Sequence, residues 1–149
     1  MRRVVVYAAV VCVALGSVVI AQRKISTPEE LDRVMKRAGG FRRVDRAIQT
    51  NNAAQAKSEL ADVYQAVADS RTFWIEHKRE DAVKMNKEAL AKLAALDKVL
   101  DAKPLDVAAA TAAFKEAGGA CRACHQQYRV EDANNEYSLK PGSVPGVGQ

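Results

Sequence analysis

Apolar residues recur along this chain three or four positions apart in separate runs. The first run is Leu31, Val34, Met35, Ala38, Phe41, Val44 and Ile48, and the second is Ala53, Ala56, Leu60, Val63, Val67, Ser70 and Trp74. The third is Ala82, Met85, Ala89, Leu93, Leu96 and Leu100, and the fourth is Val107, Ala110, Phe114, Ala117, Cys121, Cys124 and Tyr128. At 3.6 residues per turn such positions share one face, so each run predicts an amphipathic helix. Thr27-Pro28-Glu29-Glu30 supplies a start, with Thr27 as N-cap, Pro28 at the first helical position and Glu30 closing a capping box. The first helix should run to about Thr50, weakened at Gly39 and Gly40, where the glycines would thin it to admit something flat. Asn51-Asn52 and Lys103-Pro104 read as connections. Four helices with short joints predict an all-α, antiparallel up-down-up-down four-helix bundle. No strand pattern competes. From Glu131 the periodicity stops, and Pro141-Gly142-Ser143-Val144-Pro145-Gly146 predicts an irregular, mobile tail.

The chain begins Met1-Arg2-Arg3 and then carries no charge from Val4 to Ala21, the order of a secretory signal. Cleavage is expected before Gln22; an uncleaved membrane anchor is the alternative, since the apolar stretch is about long enough to span. Cys12 lies in the apolar stretch behind the bulky Val11, a poor lipoprotein site, and would leave with the signal. The expected organisation is a signal peptide at 1–21, a bundle domain at 22–130 and a tail at 131–149. Only Cys121 and Cys124 would remain of the three cysteines, so no disulfide framework is expected. Losing Arg2 and Arg3 takes Lys plus Arg from 23 to 21 against 18 acids, a formal charge of +3. The basic residues are interleaved with acids and form no nucleic-acid-binding motif, which excludes that partner class.

The chemistry is concentrated in Cys121-Arg122-Ala123-Cys124-His125. A Cys-x-x-Cys pair alone reads as a redox dithiol or half a zinc site; the histidine that follows turns it into an attachment sequence for one covalent haem c. Each thiol would add to one haem vinyl group, and His125, on the same helix face as Cys121, would place an imidazole on the iron. In an antiparallel bundle the first and fourth helices run in opposite directions. Met35, eight residues after the Thr27 cap, and His125, five before the apparent end of the fourth helix at Val130, then lie roughly 12 Å and 8 Å from the same end. Met35 is therefore the candidate distal ligand, and a His/Met pair gives a potential suited to electron carriers. The plainer fate of Met35 is core packing. Met85 and Trp74 read as core, Trp74 with an edge towards the haem, and His77 as a solvated connection residue. Arg129, four residues after His125, reads either as a propionate or pocket contact or as a surface arginine.

The stretch Cys121 to Arg129, with its arginine four after the histidine, together with the capped first helix, resembles the class II c-type cytochromes, the cytochrome c prime family. The resemblance covers roughly Thr27 to Arg129 and implies a bundle holding one haem near one end, with the histidine as proximal ligand. Leu31 to Gly39 is similar to the low-spin members, which place a methionine where Met35 stands and carry electrons. High-spin members leave that position open and bind nitric oxide or carbon monoxide, which is the alternative function. Phe73-Trp74 is similar to the end of the family's second helix. The tail beyond Arg129 is longer than in compact members, long enough to cover a haem edge. Haem attachment in such families implies the periplasm and redox partner proteins. A haem enzyme such as a peroxidase would need a distal histidine or acid near Met35, so no enzymatic activity is expected. Arg33, Lys36, Arg37, Arg42, Arg43 and Arg46 make the outer face of the first helix too charged for an extensive apolar interface, so a monomer or weak homodimer is expected.

Overall fold

The computed structural model describes residues 23–131 and 137–147. The segment read as an export signal, with Cys12 in it, lies outside the described residues. The chain is mostly helical and compatible with an all-α bundle. Its elements are α1 (Pro28–Arg37), a tight turn of 3₁₀ helix (Ala38–Gly40), α2 (Phe41–Gln49), α3 (Ala53–Glu76), α4 (Glu80–Val99) and α5 (Val107–Tyr128). Two short strands follow, β1 (Arg129–Glu131) and β2 (Tyr137–Leu139).

The capping box forms as the sequence predicts. The Glu30 N–H donates to Thr27 Oγ1 at 3.3 Å, while the Glu30 carboxylate accepts from the Thr27 and Ser26 N–H groups. Asn52 and Asp106 cap α3 and α5, accepting from the N–H of Gln55 and Ala109. The expected single first helix divides at the glycines, where three residues tighten into 3₁₀ geometry. Gly118 on α5 answers this break: a Cβ there would stand 3.4 Å from the Phe41 ring, so its absence lets α2 and α5 pack closely.

Pairs of contacts show the helices running antiparallel. Ile25 N–H to Thr72 Oγ1 (2.8 Å), Arg37 to Asp69 (2.8 Å) and Arg43 to Glu59 (2.7 Å) march up the first helical span and down α3. Lys57 with Asp97 and Asp101, and Val67 with Asn86, do the same for α3 and α4. Lys92 with Glu116 and Asp81 with Tyr128 join α4 to α5. Gln49 with Thr111, and the Phe41–Phe114 stack at 4.2 Å, close the ring between α2 and α5.

The core has two parts. One holds Val44, Ile48, Leu60, Val63, Leu93, Leu96 and Leu100 in the body of the bundle. The other holds Ile25, Leu31, Val34, Phe73, Trp74, Ala82, Tyr128 and Val144 at the end bearing the α3–α4 turn. Two expectations need correction. The third run is read in the sequence through Met85, but the buried positions are Ala82, Asn86, Ala89, Leu93 and Leu96, with the polar Asn86 in the seam and Met85 beside it. The tail is not irregular throughout: β1 and β2 pair antiparallel, Arg129 opposite Leu139, and Val144 is only 1% exposed.

Replacing Thr27 with alanine removes one cap acceptor and should destabilise the protein by about 1 kcal/mol. A urea midpoint that does not fall would contradict this role for the cap.

Candidate functional site

The candidate residues come together because α5 keeps one stripe throughout its length. Ala110 and Ala117 are buried in the body of the core, and the same stripe then carries half-buried Cys121 and Cys124 and buried Tyr128. Cys121 packs against the first core cluster and Cys124 against the second. Where the two clusters part lies a cavity of about 420 Å³, within the ~300–1,000 Å³ of typical ligand sites. Cys121, Cys124 and His125 line it from α5, Met35 from α1, Val67 and Trp74 from α3, and Met85 from α4. The expected juxtaposition of Met35 with the Cys-x-x-Cys-His segment is therefore present in the sense that all these residues border one cavity. Met85, read as core from the sequence, borders it too.

The electrostatics follow from burial. Burial raises both thiols, Cys124 to about 11 with neighbouring Cys121 and Asp81 adding to the effect, so they stay protonated at neutral pH. Both are free. Burial, then the positive charge of Arg129, lowers the pKa of His125, leaving a neutral imidazole with a lone pair to give. Among the described residues no group of three His, Cys, Asp or Glu side chains is placed to hold a metal ion, so the motif offers no convergent zinc set. Two thiols on one helix face, a neutral imidazole, a thioether and an otherwise largely apolar wall fit the attachment of a flat, hydrophobic, iron-bearing group.

Two polar clusters flank the cavity that sequence reasoning missed. Asn86, 4% exposed, donates through Nδ2 to the Val67 carbonyl (2.7 Å) and to Ser70 Oγ (3.1 Å), and Ser70 donates to the same carbonyl. Asn86 Oδ1 has no partner among the described residues. The second cluster surrounds Tyr128, which is 2% exposed and lies 4.8 Å from Trp74 between ring centroids. Its hydroxyl donates to Asp81 Oδ2 and accepts from Arg79 (2.9 Å). The Arg79 and Tyr128 hydrogen bonds hold the Asp81 carboxyl well below the usual carboxylate range. Burial and then the Asp81 hydrogen bond push the Tyr128 phenol up to about 12.

The charged connection read as solvated is likewise engaged. His77 caps the end of α3, packs tilted against Phe73 with ring centroids 4.3 Å apart and donates from Nε2 to the Ser26 carbonyl (3.1 Å). It does not border the cavity. Arg129 is exposed on the cavity rim, its guanidinium 3.8 Å above the Tyr137 ring.

No known protein family, curated protein or solved structure matches this chain.

A raised phenol pKa means the folded chain favours neutral Tyr128. Its contribution to stability is full below the ordinary tyrosine value of about 10 and is lost as pH rises through the folded value. Alkaline ultraviolet titration should show a tyrosinate step near pH 12 that Tyr128→Phe removes. A step near the ordinary value would contradict the burial and Asp81 arguments.

Proposed function

We propose that this protein is a periplasmic, monohaem c-type cytochrome of the class II kind that passes single electrons, in which His125 and Met35 would hold the iron. The observation that carries the reading is that Cys121, Cys124 and His125 border the same cavity as Met35. Haem bound there would supply a one-electron iron couple. The thioethers made by Cys121 and Cys124 would tether it to α5. His125 gives a nitrogen lone pair from that helix, and Met35 gives a soft, neutral sulfur from α1.

The rest of the cavity serves this chemistry by keeping the ligands in place and water out. Leu31, Val67, Trp74 and Ala89 present apolar surface, which favours the less charged ferrous state. A soft sulfur favours the same state, so both effects push the potential upwards. Side chains held on separate packed helices, as Met35 and His125 are, would also need little rearrangement between oxidation states. Arg42 and Arg129 on the rim carry the positive charge best placed to face the carboxylates of a haem. The N-terminal run would act as the export signal, and redox partner proteins would exchange the electrons.

The test is spectroscopic. Protein expressed with periplasmic haem attachment should show sharp, split low-spin bands when reduced and a sluggish response to carbon monoxide. Met35→Ala should convert it to a high-spin form that binds carbon monoxide at once, while Met85→Ala should leave the low-spin bands in place. Immediate carbon monoxide binding by the unaltered protein would instead favour a gas-binding function, and retention of low-spin bands in Met35→Ala would remove Met35 from the iron.

A further inference from the structure

The chain does not end its structural role at the histidine. α5 passes directly into β1, and β2 returns beside it in the register Val130 opposite Ser138 and Glu131 opposite Tyr137. This return brings Tyr137, Ser138 and Leu139 onto the cavity wall, and β2 packs against α1, the helix that carries Met35. The hairpin therefore joins the two helices whose side chains would ligate the iron.

Its position is secured from several directions. The Lys140 N–H donates to the Tyr128 carbonyl (2.8 Å) and Lys140 Nζ to the Gln126 carbonyl (2.6 Å), tying the strand's end to the last turn of α5. Arg79 donates to the Ser143 carbonyl while also holding Tyr128 and Asp81, so one guanidinium links the α3–α4 turn, α5 and the tail. Val144 is buried among Trp74, Tyr128 and their neighbours, with Leu139 and Val147 packed against the same cluster. Terminal segments fray unless tied down, and this one is tied down by a buried side chain, main-chain hydrogen bonds and a cation–aromatic contact.

We infer that residues 137–147 form a built wall of the haem cavity, in which Tyr137 and Leu139 govern access of water and small iron ligands to the site. The inference rests on the haem reading and adds to it a determinant outside the attachment motif. Leu139 is half-buried and covers the site with apolar surface, while Tyr137, its alternate neighbour on the strand, stands at the rim beneath Arg129. Val144 does not border the cavity; it holds the wall in place from outside. Shielding from solvent disfavours the more charged ferric state, so the wall also raises the potential.

The experiment uses the haem-bearing full chain. In a Met35→Ala background, where no thioether has to leave the iron first, carbon monoxide association is followed after flash photolysis. Leu139→Gly and, separately, Val144→Asp should each accelerate it by about tenfold or more, and in the chain retaining Met35 each should lower the midpoint potential. Helix content by circular dichroism should not change. Unchanged association and potential in both variants would overturn the inference and reduce the tail to a stabilising appendage. Should Val144→Asp fail to fold, Leu139→Gly decides the matter alone, since half-buried Leu139 gives up less core packing than buried Val144. A pyridine haemochrome assay showing no covalent haem in the parent chain would overturn the underlying reading and this one together; covalent haem with unaltered rates overturns this one alone.

Discussion

One face of α5 has to serve as both core and chemical site. A helix offers a single stripe to the interior, and here its first half, Ala110 and Ala117, is spent on close packing against the body of the bundle. The second half continues in phase through Cys121, Cys124 and Tyr128, so the thiols face inward because the alanines do. Thiols are smaller than the leucines of the main core and, at this point on α5, leave part of the interior unfilled. The core accordingly divides into two clusters with the cavity between them, and most other features of the fold follow from that division.

The first helical span is shaped by the same demand. α1 packs on α3, whereas α2 packs on both α3 and α5, and the change occurs across Ala38–Gly40. Glycines at this break weaken the helix where its neighbours change. Phe41, the first residue beyond it, stacks on Phe114 and sits over Gly118, pinning α2 to α5 just below Cys121. Met35 lies one turn before the break, on the part of the rod that borders the cavity. At the other side, Asn86, the one polar residue in a buried α4 stripe otherwise made of alanine and leucine, holds α4 to α3 through the Val67 carbonyl and Ser70.

What could be read from the sequence was what is local and periodic. The Thr27 cap and the helical runs each lie within a few turns of chain and form close to where the pattern puts them, apart from the break at Ala38–Gly40 and the seam position at Asn86. Asn86 escaped because counting apolar residues selects Met85, although strict alternation through Ala82, Ala89 and Leu93 points to position 86. Arg79 and His77 sit in a stretch so charged that it reads as solvated; their partners, Tyr128 and Ser143 for one and Ser26 for the other, lie between 49 and 64 positions away. The hairpin escaped for another reason. Strands of three residues are too short to show alternation, and Val144 and Val147 stand among prolines and glycines with no helical or strand period. The burial of Val144 depends wholly on the aromatic cluster contributed by distant helices.

The two walls that matter most come from opposite ends of the described chain. Met35 and the Cys121–His125 segment come to border one cavity only through α2, α3 and α4, of which α3 and α4 each fold back on the helix before. The α3–α4 hairpin has short-range contacts and closes a small loop, so it is inexpensive in chain entropy. Joining α2 to α5 closes a loop of most of the domain, and the surface on which Val144 is buried draws on α1, α3, α4 and α5 together. The chain-entropy cost therefore rises from the α3–α4 hairpin to the ring and then to the strap, and the cavity rests on the costliest of these contacts. A substitution that misaligns any connection between them, even the distant Asn51–Asn52 turn, would be felt there.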